Sequence, residues 1–183
     1  KTTQALAVNP AVKSVDFTGS NAFGEWLKEH CRQAQVYAEL AGVNNVIIES
    51  TDDYKGMLKN LAFTLALYSG QMCTTTQAII VPADGIETDE GHKSFDQIGA
   101  DLGAALDGLL AKPEIATAVL GAIQSSDTLA RLADAAALGE VVVASRKIEH
   151  AEYPMAEVRT PIILKCDAAD EGAYMQERFG PIS

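Results

Sequence analysis

Positive charge is scarce in this sequence. Only 14 Lys and Arg stand against 25 Asp and Glu, a formal net charge of −11, and the longest basic run is the pair Arg146-Lys147. A phosphate backbone is bound by displacing its counterions with a basic patch, so the expectation is no nucleic-acid partner. Long apolar runs are missing as well. None approaches the roughly 20 residues of a membrane-spanning helix, and no charged-then-apolar leader opens the chain. The expected setting is cytoplasmic, with no membrane partner. Cysteine is sparse: Cys31, Cys73 and Cys166 are an odd number, which does not read as a disulfide framework. None has a second Cys or a His at zinc-ligand spacing, and the sequential pair His30-Cys31 cannot close a tetrahedral site alone. No metal is expected.

What is present is apolar residue in quantity, 48% of 183 residues, enough to bury a core in one domain or a little more. Strand and helix patterns alternate. Residues 12–17 have strand character, Thr18-Gly19-Ser20-Asn21 turns the chain, and Phe23, Trp26, Leu27 and His30 recur at helical spacing. A strand, a Gly-Ser turn and a helix start offer N–H groups to an anion, although such turns also serve as plain connections. Residues 36–40 read as a short strand carrying Glu39, and Val46-Ile47-Ile48 as a buried one. Ser50 and Asp53 stand at capping-box separation. Beyond them Met57, Leu58, Leu61, Ala62, Leu65 and Ala66 share one helical face, and Gly70 fits the position after a helix where positive φ is wanted.

A strand over residues 78–81 follows, then a polar, exposed stretch over 87–93. Helices are expected over 95–110, 114–123 and 128–138, and strands over 140–144 and 159–165. The sequence ends in a Phe179-Gly180-Pro181 turn. The alternation implies an α/β architecture with a mostly parallel twisted sheet flanked by helices. With Lys1 in place of a methionine and a stop just after Phe-Gly-Pro, both ends look truncated.

The stretch around which this organisation turns is Ser69-Gly70-Gln71-Met72-Cys73-Thr74-Thr75-Thr76. It places a thiol on a helix-to-strand turn, within reach of a substrate. A thiolate adds to an aldehyde carbonyl, and the thiohemiacetal can lose hydride to a nicotinamide. The resulting thioester yields to water activated by a general base. The competing reading is a small, inert, buried cysteine. Glu39 is the candidate base: beside Leu40 at an apolar strand end its pKa would rise, which suits general-base work. An ordinary solvated glutamate is the alternative. His30, His92 and His150 lie in polar settings and do not point to a Cys–His pair, and Glu90-Gly91-His92-Lys93 reads as a solvated face.

Taken in order, Phe17-Thr18-Gly19-Ser20, Glu39-Leu40-Ala41-Gly42, Gly70-Gln71-Met72-Cys73 and Glu177-Arg178-Phe179-Gly180-Pro181 resemble the aldehyde dehydrogenase superfamily over nearly the whole chain. The wording of Asp52-Asp53-Tyr54-Lys55-Gly56 and of residues 68–75 is similar to the phenylacetic acid degradation aldehyde dehydrogenases. The resemblance implies Cys73 as nucleophile, with its own N–H holding the developing oxyanion, and Glu39 as activator of the deacylating water. It implies Gly19 and Ser20 beside the pyrophosphate of NAD or NADP, with Leu40 also at the cofactor. Glu177 would hold the nicotinamide ribose and Phe179 would pack near the nicotinamide.

Residues 1–38 would be the end of the dinucleotide-binding domain and residues 39–183 the catalytic, thiol-bearing domain. The implied reaction oxidises an aldehyde, by resemblance a semialdehyde of phenylacetate breakdown, to a carboxylic acid. A coenzyme A-acylating dehydrogenase and a non-catalytic assembly domain are the rivals. The full-length protein is expected to be a homo-oligomer, and the 183-residue chain alone to be inactive. The family's Glu-Leu-Gly-Gly-Lys reads here as Glu39-Leu40-Ala41-Gly42-Val43, so one glycine and the lysine are replaced.

Overall fold

The computed structural model describes residues 2–183, and its chain divides into two compact units, Lys1–Gly42 and Val43–Ser183. The first holds helix α1 (Thr2–Ala7), strand β1 (Ser14–Thr18), helix α2 (Asn21–His30) and strand β2 (Gln35–Glu39). β1 and β2 pair in parallel from Ser14↔Gln35 to Thr18↔Glu39, with α2 as the crossover. The helical spacing read from the sequence makes an aromatic ladder. Phe23 stacks on Trp26 with centroids 5.5 Å apart, and Trp26 stacks on His30 at 4.5 Å. Leu27 and Cys31 are buried with Ala7 in a small core, against which Phe23, Trp26, Val15 and Val36 pack.

The second unit runs β3 (Asn44–Ile47), β4 (Ser50–Thr51), α3 (Tyr54–Ala66), a 3-10 turn (Leu67–Gly70), β5 (Thr76–Ile80), β6 (Ile86–Thr88), β7 (Gly91–Lys93) and α4 (Phe95–Leu109). It continues with α5 (Pro113–Val119), α6 (Ser126–Asp134), β8 (Glu140–Val143), β9 (Lys147–Ile148), β10 (Val158–Arg159), β11 (Ile163–Lys165) and α7 (Glu171–Tyr174). β3 pairs with β5, and β4 with β6, in parallel; β6–β7, β8–β11 and β9–β10 are antiparallel. The architecture is mixed α/β, as the alternation of patterns implies. Among the described residues no helix is long and apolar enough to cross a membrane.

The core of this unit lies between α3 and α4, where Leu58, Leu61, Leu65, Ile98, Leu102 and Leu106 are buried together. Both helices are capped by side chains. Asp53 accepts from Gly56 N–H at 2.9 Å, and Ser94 forms a reciprocal capping box with Gln97. Tyr54 is buried beside the first cap, and its hydroxyl donates to Asp101 at 2.9 Å. Burial, then that carboxylate, raise its pKa above the ordinary phenol value.

Several local expectations need correction. Ser50 is in β4 and does not cap α3, because the helix starts at Tyr54 and Asp53 stands nearer its free N–H groups. Val46-Ile47-Ile48 is not buried throughout: alternation turns Ile47 outward, 75% exposed, while Ile48 is buried. The polar stretch 87–93 is mostly a β-hairpin, β6–β7, turned by positive-φ Gly91. The stretch 159–165 is two strands, because Pro161 has no N–H to offer a ladder and Thr160 pairs instead with Arg146. α5 stops at Val119, before the expected 123, and residues 171–174 form a short helix that the sequence reading passes over.

Leu106 is 1% exposed at the centre of the α3–α4 contact. Leu106→Ala should lower unfolding stability by about 2–5 kcal/mol, read as a drop in denaturant midpoint at unchanged slope.

Candidate active site

In the first unit, four residues singled out from the sequence meet at the carboxyl ends of β1 and β2. Gly19 N–H donates to the Glu39 carbonyl at 3.0 Å, extending the parallel ladder one step beyond the strand. Ser20 caps α2, its hydroxyl accepting from Phe23 N–H at 3.4 Å. Ala41 N–H donates to the Asn21 side chain at 3.1 Å. Leu40 packs over Gly24, where a Cβ would overlap it. Crevices outside the carboxyl ends of parallel strands are where α/β sheets take ligands, and Gly19 and Ser20 are exposed there. Glu39 does not have the apolar surroundings expected of it. β2 alternates, Val36 and Ala38 face inward, and the Glu39 side chain is exposed.

The second unit carries the thiol. α3 ends at Ala66, four residues before Gly70, so Gly70 does not cap the helix directly. Between them Tyr68 and Ser69 both have φ of 51°, and Gly70 has φ of 66°. Three left-handed residues in a row, two of them not glycine, cost roughly 1–2 kcal/mol for each side-chain-bearing one. The surroundings hold this turn in place. Ser69 is fully buried, and its hydroxyl lies 2.9 Å from both the Gly121 and the Arg159 carbonyls, which share its single proton. Gln71 donates to the Ala122 carbonyl at 3.0 Å and accepts from Gln124 N–H at 2.9 Å. Gly121 lies flat against Tyr68, where a Cβ would be 3.2 Å from the Tyr68 carbonyl oxygen.

Cys73 sits in the next turn, residues 72–75, closed by Thr75 N–H to the Met72 carbonyl at 3.1 Å. Its side chain is exposed. Asn44, at the start of β3, donates from its amide nitrogen to the Cys73 carbonyl at 2.6 Å and to the Thr75 carbonyl at 3.1 Å. Among the described residues the Cys73 N–H has no protein acceptor. The β3–β5 register shifts here, Asn44 facing Thr76 and Asn45 facing Ala78, so Gln77 is the extra residue of a bulge.

That bulge reaches the last motif. Gln77 accepts from Arg178 N–H at 2.8 Å, and Arg131 donates to the Phe179 carbonyl at 3.2 Å. Gly180, at φ of 136°, brings its carbonyl against Gly70, where any Cβ would overlap it. The turn before the thiol and the Phe-Gly-Pro turn are therefore in backbone contact, with Glu177 and Phe179 half-buried beside them.

Sequence reasoning passes over Asn44, Gln77 and Arg131, and it gives Ser69 no role although that residue opens the stretch carrying Cys73. A bulge and side-chain-to-carbonyl bonds leave no periodic trace, and only Ser69 and Gln71 lie within the thiol-bearing stretch itself. None of the three histidines is bonded to Cys73. His30 takes the Trp26 carbonyl, His92 bridges Glu87 and the Asp84 carbonyl, and His150 accepts from Glu152 and Tyr153 N–H. No group of three or more potential metal ligands is gathered among the described residues.

A profile of the aldehyde dehydrogenase family matches residues 1–183. The chain belongs to the aldehyde dehydrogenase family. It is 49% identical to an NAD-dependent aldehyde dehydrogenase from Burkholderia multivorans of known crystal structure, superposing with a TM-score of 0.95 over 99% of this chain and 32% of that one. A vanillin dehydrogenase from Pseudomonas fluorescens is 28% identical over 98% of this chain and 36% of its own length. A betaine aldehyde dehydrogenase from Staphylococcus aureus, solved with NAD+, is 16% identical with a TM-score of 0.67, covering 100% of this chain and 36% of that one; at that identity the likeness is one of fold. The chain thus spans about a third of the length of the aldehyde dehydrogenases it matches.

The three thiols of this aldehyde dehydrogenase chain differ in setting. Cys73 is exposed, Cys31 is buried at 2%, and Cys166 is half-buried. Burial, with the nearby Asp170 carboxylate, pushes the Cys166 thiol up, so it reacts as thiolate only at higher pH. Iodoacetamide at mildly alkaline pH should label Cys73 first, Cys166 later and Cys31 only on unfolding, as read by peptide mass spectrometry.

Proposed function

We propose that the protein to which this chain belongs oxidises an aldehyde to a carboxylic acid with NAD or NADP, and that Cys73 is its nucleophile. The observation that carries the reading is an exposed thiol on a braced turn, with its own N–H left free of protein acceptors. Addition of the Cys73 thiolate to a carbonyl forms a C–S bond and leaves negative charge on oxygen. A preorganised N–H at that oxygen stabilises the charge more than mobile water does. Return of the oxygen lone pair expels hydride, and water then cleaves the thioester, returning the thiol.

A bound nicotinamide dinucleotide would supply the hydride acceptor. Residues of this chain fit parts of such a group: Gly19 and Ser20 are exposed at the start of α2, where N–H groups suit a pyrophosphate. Glu177 has the carboxylate needed to accept from ribose hydroxyls, and Phe179 is an apolar neighbour for the nicotinamide. Leu40, packed over Gly24 in the helix that Ser20 caps, is proposed to touch the cofactor as well. The 49% identical relative is described as NAD-dependent, which favours NAD. Residues 1–38 would then complete the dinucleotide-binding domain and 39–183 form the catalytic one.

Glu39 is the proposed base for the deacylating water, on the Glu-Leu-Ala-Gly motif that resembles the family's. The proposed substrate is a small semialdehyde of phenylacetate breakdown, on the wording of residues 52–56 and 68–75. Part of that wording has a structural use: Asp53 caps α3, and Gly56 leaves room for the cap, since a Cβ there would overlap the Asp53 carboxylate. The full-length enzyme is proposed to act as a homo-oligomer.

In the full-length enzyme, Cys73→Ala should lower NAD(P)-dependent aldehyde oxidation by at least about a thousandfold. Activity near that of the parent would sink the proposal. Glu39→Gln should slow hydrolytic turnover by about 10²–10⁴-fold. Unchanged turnover with coenzyme A as acyl acceptor, alongside lost hydrolysis, would instead identify an acylating enzyme.

A further inference from the structure

Asn44 belongs to no motif that the family resemblance supplies, yet its side chain meets the thiol-bearing turn at two points. Both partners, the Cys73 carbonyl at 2.6 Å and the Thr75 carbonyl at 3.1 Å, can only accept. The group facing them is therefore the amide nitrogen, with both of its protons committed. Those two bonds fix peptide planes on the carboxyl side of Cys73, while Thr75 N–H on the Met72 carbonyl holds the preceding plane, which carries the Cys73 N–H, and closes the turn. The direction of the Cys73 N–H follows from that closure. The bulge opposite Asn44 adds to the case. Gln77 is the extra residue, and its insertion sets the register in which Asn44 faces Thr76 and reaches back to residues 73–75.

We infer that Asn44 is a positioning residue for the Cys73 nucleophile, holding the turn so that the Cys73 N–H is aimed where the oxyanion forms. The inference rests on the proposed role of Cys73. Its consequence is selective. Reactions at sulfur that develop an oxyanion depend on Asn44, whereas direct displacement at carbon by the same sulfur does not. A residue that merely supports the fold would affect both alike.

The test compares two reactions of the 183-residue chain itself, neither needing a dinucleotide. With p-nitrophenyl acetate, the thiolate adds to the ester carbonyl and a C–S bond forms. The C–O bond then breaks and nitrophenolate leaves with the electron pair, the thiol proton having passed to buffer. With iodoacetamide, sulfur displaces iodide and no oxyanion arises. Peptide mass spectrometry follows Cys73 and Cys166 separately in both.

The variants are Asn44→Ala and the isosteric Asn44→Asp, which keeps the volume but offers no N–H to the two carbonyls. Both should acylate Cys73 about 10- to 100-fold more slowly, with alkylation within about twofold of the parent and the melting temperature little changed. If acylation and alkylation fall together with melting temperature, Asn44 is only structural and the inference is overturned. Unchanged acylation in Asn44→Asp overturns it as well, even should Asn44→Ala not fold. If in the parent chain Cys73 is acylated no faster than Cys166, the nucleophile reading itself has failed, an outcome separable from the other two.

Discussion

The close approach of two backbones, Gly70 against the carbonyl of Gly180, is the constraint on which the candidate site depends. Neither position tolerates a Cβ without a clash: one would strike the Gly180 carbonyl oxygen, the other would come within 2.6 Å of Thr128. Both glycines have positive φ, so the approach is built from conformations that other residues rarely adopt. Because the contact is made by main chain, it ties residues more than a hundred positions apart without relying on a flexible side chain. The thiol-bearing turn and the Glu-Arg-Phe-Gly-Pro segment are positioned as one piece.

Around that contact the chain spends conformational strain and offsets it with buried hydrogen bonds. Tyr68 and Ser69 adopt left-handed geometry without being glycine. The neighbouring groups that stabilise them, Ser69 Oγ and the Gln71 amide, bond to carbonyls on loop 121–124 and at Arg159. Strain confined by an over-determined surrounding is a recurrent property of sites where a reactive group must be presented in one orientation. Here Cys73, the proposed nucleophile, lies just beyond the strained residues and is exposed to solvent, while Ser69 and Gly70 before it are buried.

The first unit follows a simpler rule. A parallel pair of strands bridged by a helix brings the two strand ends and the helix start to one edge. The sequence separation between Gly19 and Glu39 then vanishes as a hydrogen bond of 3.0 Å. Gly19, Ser20, Glu39 and Leu40 are neighbours for that topological reason. Phe23, Trp26 and His30 stack on the helix between them, while Leu27 and Cys31 fill the small core underneath.

Much of this was legible in the residue order. The faces of α2, α3 and α4 were readable because burial on a helix repeats every three or four residues, and Phe23, Trp26 and Leu27, or Leu58, Leu61 and Leu65, keep that period. The α/β class followed from the alternation of such segments with β-branched runs, and the family from four short motifs in order. Other features had no local signature. Ile47 looks apolar in any window, and only the pairing of β3 decides that it faces outward. Glu39 looked apolar-flanked, yet strand alternation puts its carboxylate in water. Pro161 could be read as a strand start, but whether 159–165 makes one strand or two depends on Arg146 arriving to pair with Thr160. Asn44 and Ser69 are ordinary polar residues until carbonyls far away in sequence come within 3 Å. Periodicity and motif order are properties of neighbours along the chain, so the sequence determined the elements and the candidate nucleophile. The bonds that brace that nucleophile join residues 29 to 90 positions apart, and such contacts exist only once the chain has closed on itself.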